Sequence, residues 1–294
     1  MKSHRVARLS GNRLHLQEGP SDLVIAAFGG PSQTERAYAA AEDAFDGLLA
    51  ELTGELRMLR QPLAAQPPAL TGATARRMAR ACWAFRAQYI TPMAAVAGAV
   101  ADTVMAAMIA AAPRLERAYV NNGGDIAILV TPGHPLDIGV VPSLARARPE
   151  GFIRLHAAPH AAQHFRGIAT SGWRGRSFSR GIADAVTVLA RSAAEADAAA
   201  TVIANATDVQ DGAVLRRPAQ ELDPDSDLRH LPVTVDVGPL SPKAITAALN
   251  SGARTAEALL RDGLIEGALL SVADEWRSVG ESSFALVRPT DTAP

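Results

Sequence analysis

The chain has 294 residues, with 29 basic and 30 acidic side chains and a formal charge of -1. That length holds one large domain or two closely packed halves with a sizeable core. The charge balance gives no electrostatic footprint for nucleic acid or an anionic membrane. A single cysteine, Cys82, excludes an internal disulfide framework and a multi-cysteine metal site. Aromatic residues are only 4%, so the core is built from Ala, Leu, Ile and Val.

In chain order, RVARL and RLHLQ read as strands flanking the turn Ser10-Gly11-Asn12, and DLVIAAF follows Gly19-Pro20. From Ser32 to Arg60 the apolar spacing turns helical, through Ala37, Ala41, Phe45, Leu48 and Leu52. A second helix fits Thr71 to Tyr89. Thr91-Pro92 then resembles an N-cap with proline at the first helical position, opening an alanine-rich helix that ends before Pro113. Its stretch Met93 to Ala112 is about long enough to span a bilayer, at roughly 20 residues. A central Asp102 costs roughly 2.5 to 3.5 kcal/mol on insertion scales, and alanine offers little to offset it. The expected state is a buried helix of a soluble protein. The N-terminal MKSHRVARLS lacks an apolar h-region, so the expected location is the cytoplasm, with no signal peptide.

Two strands, ERAYV and DIAILV, are joined by Asn121-Asn122-Gly123-Gly124, and LDIGVV and GFIRLH follow. AVTVLA (185 to 190) is a buried strand by its continuous apolar run, and Ser192 to Ala206 is a helix. Residues 207 to 232 are polar and proline-bearing, and read as loop. VTVDV, a helix from Ser241 to Arg261, and terminal strands near LIEGALLSV and SFALVRP complete the chain. Runs of strands and runs of helices predict an α+β fold rather than alternating βαβ units.

Three segments carry candidate chemistry. Asp197 and Thr201 lie four apart on a predicted helix and share one face, offering two hard oxygen donors that suit Mg²⁺. The same spacing also occurs on solvated helices with no ligand. Asn121 to Asp125 is a good hairpin turn. It is also a place where bare glycine backbone at Gly123 and Gly124 can approach a ligand, with Asp125 accepting a hydrogen bond. Thr170-Ser171-Gly172, with Arg174, Arg176 and Arg180, offers hydroxyls, glycine and guanidinium groups to a pyrophosphate, or else is a solvated loop.

His156, His160 and His164 have i, i+4, i+8 spacing, but Pro159 interrupts the run. The expectation is a strand and loop with solvated histidines rather than a zinc face. Cys82, beside Trp83 and Phe85, reads as a buried structural thiol. Asp102 on a buried alanine-rich helix needs a partner, for which Arg180 or another arginine is one choice and a ligand pocket the other. No G-x-S-x-G, G-x-G-x-x-G or Walker A sequence is present.

Taken in order, PMAAVAG (92 to 98), NGGD, ATSG and ADAAAT resemble the ApbE-like superfamily, whose best-known members are FAD:protein FMN transferases. The likeness is closest to an uncharacterised branch of it and is clearest over residues 90 to 206. It implies two fused T-fold-like halves in a single ApbE-like domain over 1–294, with pseudo-repeats at about 1–130 and 131–294. It also implies Mg²⁺ held by Asp197, Thr201 and the backbone carbonyl of Ala94, near the pyrophosphate of FAD or a related nucleotide. Gly98 matches the motif glycine near the helix start, where unpaired N–H groups can receive a phosphate. Nucleotide contacts fall to Gly98, Asn121, Gly123, Gly124, Asp125, Thr170, Ser171, Gly172 and Arg180.

The sequence departs from the transferases in two places. The motif lysine falls on Ala97, and the H-x-x-D-P-x-T-G stretch is replaced by Ser179-Arg180-Gly181-Ile182-Ala183-Asp184. The leading expectation is a bacterial ApbE-like protein that binds a flavin nucleotide with Mg²⁺ and acts on its pyrophosphate, with a protein as acceptor in the flavin-transfer version. A pterin or other cofactor-biosynthesis enzyme on a T-fold pocket, and a non-catalytic binding protein with a decayed site, stand as alternatives.

Overall fold

The structure is a computed structural model that describes residues 4–140, 151–157 and 164–280. In chain order, strands β1 (Arg5–Leu9), β2 (Arg13–Glu18) and β3 (Ser21–Phe28) precede helices α1 (Pro31–Phe45), α2 (Leu48–Gly54), α3 (Leu56–Leu59) and α4 (Ala73–Cys82). A 3₁₀ turn at Pro92–Ala95 leads into α5 (Val96–Ala111). Strands β4 (Arg117–Asn122), β5 (Asp125–Val130), β6 (Leu136–Val140), β7 (Gly151–Leu155), β8 (His164–Ser171) and β9 (Ala185–Ala190) follow, then α6 (Ala193–Ala206). The chain continues through β10 (Val214–Pro218), α7 (Ala219–Leu222), β11 (Pro232–Val237), α8 (Pro242–Arg261), β12 (Gly267–Val272) and β13 (Glu275–Val279). The pairings running from β1 to β5, of β5 with β8, of β12 with β9 and β13, and of β10 with β11 are all antiparallel, so the α+β class is the observed one.

The chain divides into two compact units. One comprises Met1–Leu136, His156–Ala169 and Ala190–Ala198, and the other the remaining segments. In the first unit the strand order is β1-β2-β3-β4-β5-β8. Tight turns set the register. Leu9 faces Arg13 across a loop with positive φ at Gly11 and Asn12, and Asn122 faces Asp125 across Gly123 and Gly124, at φ 67 and 115. Helix α5 packs on α1, α4, β4 and β5 and buries Val100, Val104, Met105 and Met108. Each large apolar side chain removed from water there contributes roughly 1.5–3 kcal/mol. The segment Pro92–Ala111 is long and apolar enough to cross a membrane, with mean hydropathy 1.8, and half of that window is buried inside the protein.

In the second unit β12 lies between β9 and β13, and every residue of β9 and β12 is buried. Amphipathic α8 begins at Ser241, whose hydroxyl accepts from the Ala244 amide, with Pro242 at the first helical position. Strands β10 and β11 pair with each other, as do β6 and β7.

The sequence reading needs four revisions. The single helix expected over 32–60 is broken at Gly47, which sits at φ 75 in the left-handed region. The second expected helix stops as α-helix at Cys82 and tightens to a 3₁₀ turn over Trp83–Phe85. The expected loop 207–232 contains β10 and α7. Its Arg-Arg-Pro content and the register shift between Leu215 and Arg216 hide the strand pattern. Strand β13 pairs with β12 through Ala273-Asp274, both at positive φ, a turn made without glycine or asparagine. The expected strand near SFALVRP and the residue His160 lie outside the described residues.

Candidate functional site

The first turns of α5 and α6 meet in the first unit. A Cβ placed on Gly98 of α5 would overlap the carbonyl of Ala193, and one placed on Gly167 of β8 would overlap the Ala193 amide. Both glycines therefore admit the start of α6 at backbone distance. A helix leaves its first four N–H groups without internal partners, and at α6 these are accounted for by name. Ala193 and Ala194 donate to Oδ1 and Oδ2 of Asp102, each at 3.0 Å. Glu195 donates to the Ser192 hydroxyl at 3.2 Å and Ala196 to the Ser192 carbonyl at 3.0 Å. Ser192 is thus the N-cap, and Asp102 serves the two amides that Ser192 does not reach.

Asp197, one turn further along α6, returns the contact. Its Oδ2 accepts from the Gly98 amide at 3.0 Å, and the Ala97 amide also hydrogen-bonds to its carboxyl group. Long side chains on a helix lean toward its N-terminus. Residues one turn beyond the Gly98–Ala193 contact are therefore the ones that reach the opposite helix start. Each carboxylate also gains from the positive end of the helix dipole it faces.

These two carboxyl groups are far from ordinary. Burial pushes Asp102 up to about 6, against the opposing pull of the Ala194 and Ala193 amides and of Arg77. Asp102 is fully buried; its partners are the two backbone amides and the Ser192 side chain, and the arginine near it is Arg77 rather than Arg180. Asp197 as a residue keeps some solvent contact, but its carboxyl is closely surrounded by protein. Burial, and then the negative charge of Asp125, hold it well above the usual carboxylate range.

The β4–β5 hairpin brings Asp125 into this neighbourhood. Asn121 closes the turn locally, its Oδ1 accepting from the Gly124 amide at 2.8 Å. Gly124, at φ 115, has open space where a Cβ would be. Asn122, which the sequence reading passed over, is buried and donates from Nδ2 to the Ala97 carbonyl at 3.2 Å while accepting from the Asp22 amide. It ties the hairpin to the first turn of α5. The signal available in sequence was its place at the end of a strand directly before Gly-Gly. Ala94 lies in the 3₁₀ turn just before α5, which Thr91 opens by accepting from the Met93 amide at 3.2 Å. The Gly98 amide, assigned by resemblance to a phosphate, donates to Asp197.

The second unit holds the remaining candidates. Thr170 is exposed at the end of β8, with its hydroxyl 2.9 Å from that of Thr187. Ser171 follows it, and a Cβ on Gly172 would overlap the Asp184 carbonyl, so packing alone requires glycine there. Asp184 accepts from Trp173 Nε1, Arg174 Nε and the Ala273 amide, and so holds the Arg-rich loop. Arg180 donates its backbone amide to Asn205 Oδ1 at 2.8 Å, and its Nε is buried without a hydrogen-bond partner among the described residues. Thr201 is partly exposed on α6, one turn after Asp197.

Among the described residues no three His, Cys, Asp or Glu side chains are grouped to hold a metal. Cys82 is buried, and its thiol donates to the Pro92 carbonyl at 3.9 Å. A cavity of about 390 Å³ in the first unit, lined by Asn12, Phe28, Thr34, Arg117 and His134 among others, includes none of the candidates.

Several proteins of known sequence or structure are similar to this chain. A UPF0280 protein of Methanothrix thermoacetophila is 40% identical over 128 residues, 43% of this chain and 50% of that protein. One of Methanospirillum hungatei is 34% identical over 151 residues, 50% of this chain and 57% of that protein. The chain thus spans about half the length of the curated relatives it matches. Flavin transferase ApbE from Vibrio cholerae aligns at a TM-score of 0.46 and 15% identity, over 96% of this chain and 98% of that one. Flavinyl transferase ApbE from Pseudomonas stutzeri, in its apo form, aligns at 0.43 and 13%, over 96% and 95%. A family model described as AbpE bacteria matches residues 5–278, nearly the whole chain, and the protein belongs to that family.

Proposed function

We propose that this protein binds a flavin nucleotide, FAD or a close relative, together with Mg²⁺, and transfers flavin mononucleotide or otherwise acts on the pyrophosphate. Two things support the reading: membership in the AbpE family and the state of Asp197. That carboxyl group is enclosed by protein and is pushed up by burial and then by Asp125, while the residue as a whole keeps some solvent contact. A divalent cation beside it would offset the repulsion and restore the ionised form.

The donors fit such an ion. Asp197, Thr201 and the Ala94 carbonyl offer only oxygen, and Mg²⁺ takes few protein oxygens and keeps waters and phosphate oxygens for the rest. When bound, the ion would neutralise charge on the phosphate oxygens. The chain's own part is to hold the carboxylate. The Gly98 and Ala97 amides both donate to Asp197, so they fix one side of the carboxyl group. Asn122 holds the Ala97 carbonyl in turn. The open space at Gly124 leaves room for a ligand to approach backbone. Asn121, Gly123 and Asp125 in the same hairpin are the further nucleotide contacts named within the first unit. In the second unit, taken by itself, Thr170, Ser171, Gly172 and Arg180 are candidates for phosphate, and Arg180 has a buried Nε without a hydrogen-bond partner among the described residues.

The single observation that carries the proposal is the Asp197 carboxyl held on the α5 amides beside Asp125. The absorbance spectrum and mass of the small molecule that co-purifies with the protein test it. A flavin is the expected finding, and a pterin would move the protein to cofactor biosynthesis.

A further inference from the structure

Asp102 stands outside every donor set considered so far, yet it is a fully buried residue of the first unit, with no measurable exposure. A helix start does not need a buried charge to be capped. Ser192 already serves Glu195 and Ala196, and a neutral hydroxyl or amide would cap with less loss of solvation. What a carboxylate does that those groups cannot is accept from two adjacent amides with two oxygens fixed on one carbon, and Asp102 does this with both bonds at 3.0 Å. The start of α6 is thereby held in two directions, not one.

We propose that Asp102 is a positioning residue of the Asp197 site, fixing the first turn of α6 against α5 so that Asp197 reaches the Gly98 amide. The geometry is reciprocal. Gly98 and Ala193 are in backbone contact. Asp102 lies four residues beyond Gly98, and Asp197 four residues beyond Ala193. Each carboxylate reaches back one turn to the other helix's start, so a shift of α6 that loosens one contact loosens the other. The role deepens the cation reading and rests on it for its functional consequence, but the Asp102–Gly98 linkage is measurable without any metal.

Amide NMR on the ¹⁵N-labelled full chain makes that measurement. In the wild type the Gly98 resonance carries the shift of a hydrogen bond to a carboxylate, which Asp197→Asn removes. Asp102→Asn is expected to move Gly98 at least half of the way to its Asp197→Asn position, while Gly11 and Gly47, remote in sequence, keep theirs. A general loss of structure would move all three. A Gly98 resonance unmoved by Asp102→Asn overturns the proposal. Should that variant fail to fold, hydrogen exchange on the wild type decides. Ala193 and Ala194 are expected to exchange at least tenfold more slowly than amides at an open helix start, and exchange at the open rate overturns the proposal.

Mn²⁺ titration, used as a probe for Mg²⁺, supplies the functional arm. Tenfold weaker Mn²⁺ binding by Asp102→Asn is expected, and equal binding counts against the proposal. A wild type that binds no Mn²⁺ removes the cation reading alone and leaves the Gly98 resonance to decide the role of Asp102.

Discussion

Asp102 on α5 accepts hydrogen bonds from the first two amides of α6, and Asp197 on α6 accepts one from Gly98 in the first turn of α5. The two helices are thus capped by each other's second turn. The arrangement depends on glycine at 98 and 167, because only there can the backbone of Ala193 come so close.

Removing the Asp102 side chain strands two buried amide donors. An unsatisfied buried donor costs roughly 1–3 kcal/mol, so Asp102→Ala should lower stability by about 3 kcal/mol. Asp102→Asn, which keeps one acceptor, should lose about half of that. Urea denaturation midpoints of the full chain give both values. Equal stability of Asp102→Ala and the wild type would mean that water replaces the carboxylate without cost.

The pH dependence has an unusual sign. An acid whose folded value lies above its unfolded value of about 4 binds more protons in the folded state, so stability falls as pH rises through the interval between the two. For Asp102 that interval ends at about 6, and Asp197 shifts in the same direction. Metal-free protein should therefore gain stability as pH is lowered from 7 toward 5, by about 1 kcal/mol from Asp102 alone. Thermal melts across that range in chelator check it, and melting points that drop steadily with acid would contradict it.

Glycine to alanine within a helix ordinarily gains about 0.5–1 kcal/mol. At Gly98 the added Cβ meets the Ala193 backbone, which cannot yield as a side-chain tip could. Gly98→Ala and Gly167→Ala should each cost about 2 kcal/mol or more. Gly124→Ala meets open space and bears only the strain of φ 115, so its effect on folding should be about 1–2 kcal/mol. Denaturation midpoints rank the three.

Protons and a divalent cation should compete at Asp197. Its carboxyl holds a proton to higher pH than an ordinary aspartate, so Mn²⁺ affinity should keep rising above about pH 5, where a site built on an ordinary aspartate levels off. Asp197→Asn should abolish both the binding and its pH dependence. An affinity flat over that range places the cation elsewhere.

Much of this was legible in the residues. The apolar runs of β5 and β9 fixed both strands to the residue, and Asp197 with Thr201 stood out by helical spacing. The partners of Asp102 did not, because a backbone amide has the same identity at every position and leaves no mark in a sequence. Nor did the fate of the Gly98 amide, whose position at a helix start suggests a phosphate as readily as a carboxylate from a residue 99 positions away. Strand β13 escaped because its turn is Ala273-Asp274, and left-handed backbone is ordinarily signalled by glycine or asparagine. Asn122 was hidden beside Asn121. The two look alike in sequence, yet alternation along β4 buries one and leaves the other to close the hairpin.

Isothermal titration of FAD into the full chain, with Mg²⁺ and with chelator, for the wild type and Asp197→Ala, bears most directly on the proposed site. Mg²⁺ should tighten FAD binding by the wild type at least tenfold and leave Asp197→Ala unchanged. FAD binding that ignores Mg²⁺, or a magnesium effect that survives the loss of Asp197, would contradict the assignment.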